Sequence, residues 1–87
     1  MKKIIEEPGG DGLVTLLGQN VILICASYFY AGKLVGVDEQ DVLLESAVLV
    51  YETGEWSAKT WKDAQPLPGG VWYVKIASIE SYGISGR

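Results

Sequence analysis

The chain has 87 residues, 48% of them hydrophobic and 21% charged, with a formal net charge of −4. That length holds one domain with a thin core, burying only about 60–65% of its unfolded surface, and leaves little room for a second. The seven Lys and Arg residues are scattered rather than gathered in a stripe, which argues against strong sequence-independent nucleic-acid binding through phosphate neutralisation.

Residues 1–10, MKKIIEEPGG, end in a breaker and are expected to fray, so the domain proper spans 11–87. In DGLVTLLGQN, Asp11 is a good N-cap, Leu13, Leu16 and Leu17 fall at i, i+3 and i+4, and Gly18 stands where a helix would stop. The pattern predicts a helix of one to two turns, too short to hold in water unless its leucines dock. VILICAS, 21–27, is a continuous apolar run and predicts a strand covered on both faces, with Cys25 buried as a small hydrophobe. A lone cysteine allows no intrachain disulfide, which fits a reducing cytosol.

A hairpin or sharp bend is expected at YFY, 28–30, then a second strand from Tyr30 to Val37 in which Gly32 and Gly36 mark bulges or bends. DEQD, 38–41, packs Asp38, Glu39 and Asp41 into one tight turn. The third strand starts near Val42 and runs to Tyr51 or Glu52, long enough to curve between two halves of a sheet. The segment 53–70, TGEWSAKTWKDAQPLPGG, is the loosest. A structureless loop of this length is uncommon in a compact domain, so EWSAKTW is expected to extend a hairpin through Thr53 and Gly54. VWYVKIA, 71–77, and SIESYGI, 78–84, predict a fourth strand and a short fifth.

Little in the chain suggests catalysis. There is no histidine, the commonest general base and metal ligand, and Cys25 has no histidine to activate it. PGGDG lacks the strand and lysine of a phosphate loop, and DEQD lacks the alternating oxygen ligands and glycine of a calcium loop. No enzyme activity, cofactor or metal is expected. Trp56 and Trp61 lie in the long loop beside Pro66 and Pro68, where they either cover the edge of the core or offer a docking surface to a partner protein. No stretch is apolar enough for a signal peptide or a membrane span, so a cytoplasmic protein away from membranes is expected.

The order of parts resembles the Sm-like (LSm) family. The residues that carry the resemblance are Gly18, Val21, Leu23, Tyr30, Gly32, Leu34, Gly36, Asp38, Leu43 or Leu44, Glu45 and Ala47, in order and near the family's spacing. WYVKIASIESY looks like the second family signature, with Lys75 in the basic place. The match covers about residues 11–52 and 71–84. It implies an all-β fold with a short N-terminal helix, a strongly bent five-stranded antiparallel sheet. It further implies that strand four of one copy pairs with strand five of the next, closing a homo-oligomeric ring of about five to seven subunits. Trp72, Tyr73, Val74, Ile76 and Ile79 would then form the subunit interface.

The same resemblance implies single-stranded RNA bound by the pore-facing loops. Asp38 takes the place of the family's structural Asp, Gln40 falls near the base-stacking position, Asp41 at or beside the base-reading Asn, and Lys75 replaces the usual Arg. These are departures. Gln40 has no aromatic face, ionised Asp41 only accepts hydrogen bonds, and Lys75 lacks the planar fork of Arg. The alternative expectation is a ring-forming scaffold without RNA activity that binds a protein partner through the tryptophans of 53–70.

Overall fold

The computed structural model describes residues 12–87. Their strands are β1 (Asn20–Cys25), β2 (Phe29–Val37), β3 (Asp41–Glu52), β4 (Asp63–Pro66), β5 (Val71–Lys75) and β6 (Ile79–Ile84), with 3-10 turns at Val14–Leu16 and Ile76–Ser78. All pairings are antiparallel. β3, β2, β1 and β6 are neighbours in that order, while β4 and β5 share the other side of β3. The all-β expectation therefore holds, with six strands in place of five.

The N-terminal helix does not form as expected. Its leucines sit on a single 3-10 turn, and Asp11, the expected cap, lies outside the described residues. With three residues per turn, positions i and i+3 eclipse and i+4 swings away. Leu13 and Leu16 accordingly pack on the core, and Leu17 is exposed. Gly18 does stop the turn, at a φ of 87°, and its N–H donates to the Leu34 carbonyl, tying the turn to β2.

Strand alternation divides β1 between two faces. Val21, Leu23 and Cys25 join Leu34, Val42, Leu44, Ala47 and Val74 in the core. Ile22 faces the opposite way, paired with Ala31, and both are buried. The apolar run is thus covered on both sides from Val21 to Leu23, as its lack of alternation implies, while Ile24 is half-buried and Ala26 is exposed. Each fully buried Leu or Val contributes roughly 1.5–3 kcal/mol of transfer free energy.

The bends fall where the glycines are. β2 and β3 slip register between Ala31 and Lys33 and again between Leu34 and Gly36. At Gly32 an added Cβ would stand 3.1 Å from both the Ala47 Cα and the Glu45 carbonyl oxygen, so a side chain there would force the strands apart by a few tenths of an ångström. β3 changes course at Ser46, whose φ is 55°. Before that residue β3 pairs with β5; after it, with β4. The expected long strand is therefore present as a single element that changes partner around one left-handed residue.

The loop 53–70 is shorter than its sequence suggests. The hairpin extension is made by Asp63–Pro66 and not by EWSAKTW, because the polar DAQP segment reaches β3 in register while residues 53–62 loop out. Pro66 is tolerated there because β4 is an edge strand with β3 as its one partner. Trp61 and Arg87 line a cleft of about 330 Å³ with Ala31, Val48, Lys33 and Glu45, which places this loop over the sheet face opposite the main core. Among the described residues no helix is long and apolar enough to cross a membrane.

Candidate functional site

The DEQD turn is built around one carboxylate. Asp38 Oδ1 accepts the backbone N–H groups of Gln40 and Asp41, both at 2.8 Å, and the Asp38 N–H donates to the Asp41 carbonyl at 2.9 Å. An Asp side chain that satisfies the backbone two and three residues ahead makes the reversal without help from the core. These donors, Asp41 first and then Gln40, hold the Asp38 carboxyl below the usual carboxylate range, and the charge of Lys75 adds a smaller pull in the same direction.

The turn is fixed from a second side. Its Gln40 carbonyl accepts the N–H of Ile76 at 2.9 Å, at the start of the 3-10 turn between β5 and β6. Asp41 is directly paired with Lys75 across β3 and β5, with Lys75 Nζ 4.0 Å from Asp41 Oδ1. Lys75, distant in sequence, is therefore brought to the turn of Asp38, Gln40 and Asp41 at one end of the sheet. The turn carries three carboxylates, Asp38, Glu39 and Asp41, and Lys75 pairs with Asp41, so acceptors outnumber this ammonium.

An aromatic group belongs to this site as well. Tyr73 is 66% exposed and lines a depression of about 280 Å³ together with Gly36, Val37, Asp38, Asp41 and Leu43. The signal for it in the sequence was the alternation of β5: Val74 points into the core, so Tyr73 and Lys75 share the outer face. Gln40 lacks a π-face, and Tyr73 supplies one in the depression that Asp38 and Asp41 line.

The residues expected at a subunit interface divide differently. Val74 is part of this subunit's own core, and Trp72, Ile76 and Ile79 pack against it. The exposed apolar side chains of the outermost strands are Val71 and Tyr73 on β5 and Tyr82 and Ile84 on β6. Trp56 is 61% exposed, and Trp61 is half-buried. Both stand beside the guanidinium of Arg87, a residue the sequence alone gave no reason to join to them.

A hollow of about 530 Å³ lies among Cys25, Tyr30, Tyr73, Lys75 and Glu80. Burial pushes the Cys25 thiol up from its ordinary pKa, and nearby Glu80 pushes it further. Both effects disfavour the thiolate, so this cysteine is a poor nucleophile. Tyr30 is pushed up chiefly by burial, with Cys25 and Tyr28 adding to it. Among the described residues, no group of three or more His, Cys, Asp or Glu side chains is placed to hold a metal ion. No known family model matches the chain, and no curated protein does.

Proposed function

We propose that the chain is a non-enzymatic, Sm-like subunit that pairs head to tail with copies of itself into a ring and binds single-stranded RNA at the Asp38–Asp41 turn. One observation carries the reading. Among the described residues, two edge strands flanking the site, β5 and β6, each have a single partner within the sheet and each present exposed apolar side chains. An unpaired strand edge with apolar flanks is a template for another strand. Because β5 and β6 are different surfaces, their pairing is head-to-tail and ends only when rotation closes it.

In such a ring the turn and Lys75 recur once per subunit. Tyr73 would stack on a base, worth roughly 1–3 kcal/mol. Gln40 and Asp41 would meet base edges through their acceptors, and Lys75 would meet phosphate or base. Glu39 and Asp41 oppose phosphate, so stacking and base-edge contacts, more than charge, must supply the affinity. The order of the Sm-like signature residues and the convergence of Asp38, Gln40, Asp41 and Lys75 support this assignment.

Size-exclusion chromatography with light scattering tests the assembly, and fluorescence polarisation with oligo-uridine, oligo-adenosine and a DNA control at two salt concentrations tests the ligand. A defined oligomer with saturable binding to oligo-uridine is expected. A clean monomer removes the ring, and absence of saturable binding at moderate salt removes RNA.

A further inference from the structure

Arg87 is held in a slot formed by the loop between β3 and β4. Its guanidinium carbon lies 3.8 Å from the centre of the Trp61 ring and 5.8 Å from that of Trp56. Its Nη1 donates to the carbonyls of Thr53, at 3.1 Å, and Thr60, at 3.0 Å, from the two ends of the loop. Flat aromatic faces beside convergent carbonyl acceptors are what a planar, delocalised cation requires. The side chain is held through neutral groups: among the described residues, its hydrogen bonds and ring contacts involve no carboxylate.

The fit of Arg87 itself is incomplete. Ser85 folds the chain back onto it, its hydroxyl accepting the Arg87 N–H at 3.2 Å and donating to the Arg87 carbonyl at 2.9 Å. Thus tethered close behind β6, the side chain engages both carbonyls through a single terminal nitrogen. Its Nη2 is buried with no hydrogen-bond partner among the described residues. The Trp56 ring stays largely open to solvent and stands off by the longer of the two distances.

We propose that the Trp56–Trp61 loop is a receptor for an arginine side chain, filled in cis by Arg87 and open by exchange to an arginine presented in trans on a partner peptide. An untethered arginine can settle with both terminal nitrogens toward the two carbonyls and draw Trp56 over its free face. The partner surface expected at these tryptophans thereby acquires a definite chemistry. It depends neither on ring closure nor on RNA.

The test titrates the tryptophan fluorescence of Arg87→Ala with an acetyl-Gly-Arg-amide peptide and its lysine counterpart at constant ionic strength. The arginine peptide should give a saturable change, with the lysine peptide and the wild-type chain responding about tenfold or more weakly, since wild type carries a tethered competitor. Trp61→Ala in the Arg87→Ala background should abolish the response. No saturable change in folded Arg87→Ala, or equal responses to both peptides, overturns the proposal. Should Arg87→Ala not fold, proton NMR of the wild type decides. Arg87 side-chain protons shifted upfield by the indole rings, and returning toward ordinary shifts as free arginine amide is added, support the exchangeable slot. Ordinary shifts at the outset, or shifted resonances indifferent to arginine amide, overturn it.

Discussion

Asp41 on β3 and Lys75 on β5 are direct cross-strand partners, and their charged atoms approach to 4.0 Å at the mouth of the acidic turn. Lys75 is 72% exposed, so the pair is well solvated and screened by salt. Its value to folding is small, and to the RNA ligand proposed above it is expected to be larger, because among the described residues Lys75 is the one cation brought to this turn. Lys75→Ala should change unfolding free energy by no more than about 0.5 kcal/mol yet weaken oligo-uridine binding. Glu39→Gln should strengthen binding by removing a repelling charge. Polarisation titrations at two ionic strengths check both, and the two effects should shrink as salt rises.

Asp38 makes the turn pH-sensitive. Its folded pKa is depressed, so its contribution to stability is fully present above the unfolded carboxyl pKa of about 4 and is lost as pH falls through the lower folded value. Urea midpoints measured from pH 6 down to pH 2.5 should fall for the wild-type chain. Asp38→Asn should start lower at pH 6 and lose less across that window, since an uncharged amide oxygen accepts the Gln40 and Asp41 N–H groups more weakly. Parallel curves for the two proteins would remove Asp38 from the account of acid sensitivity.

How much was legible before the structure depended on the range of the physics. The bulges at Gly32 and Gly36, the stop at Gly18 and the Asp38 turn are local matters of sterics and short hydrogen bonds, and the residue types announce them. The leucine turn was misread because Leu13, Leu16 and Leu17 satisfy a 3.6-residue period, whereas the chain adopts three residues per turn and leaves Leu17 outside. DAQP does not announce β4 because it has no β-branched or aromatic residue and ends in Pro; its pairing comes from the reach of β3, a non-local cause. For the same reason the seat of Arg87 between Trp56 and Trp61 left no local trace.

Gly32 illustrates a local signal with a measurable cost. Its Cα faces the core side of β2, where Ala47 and Glu45 of β3 approach so closely that a methyl group would meet backbone atoms. Backbone cannot rotate aside as a side chain can. Gly32→Ala should therefore destabilise by about 1–3 kcal/mol, the usual range for overpacking, in spite of the lower backbone entropy of alanine in the unfolded chain. Gly36→Ala is the internal control. Its nearest contact would be the Leu43 side chain at 3.4 Å, ordinary van der Waals distance, so a smaller change is expected in the same urea titration.

The edge of β6, unpaired among the described residues, gives a test of assembly that spares the fold. Ile84 lies near the end of that strand, opposite Val21 of β1, and is 61% exposed, so its side chain contributes little to this subunit's own core. A lysine there keeps the extended backbone and the pairing with β1, but places a charge on the surface a second copy would cover. Charged residues on edge strands are a standard deterrent to edge-to-edge pairing. Ile84→Lys should leave the circular dichroism spectrum unchanged, shift the unfolding free energy by less than about 1 kcal/mol, and reduce the mass measured by light scattering to that of a single chain. Val74→Lys would instead unfold the subunit, because Val74 is 4% exposed in the core and opposes Val42. An Ile84→Lys protein of undiminished mass would mean that copies meet through some other surface, and the head-to-tail pairing of β5 with β6 would have to be abandoned.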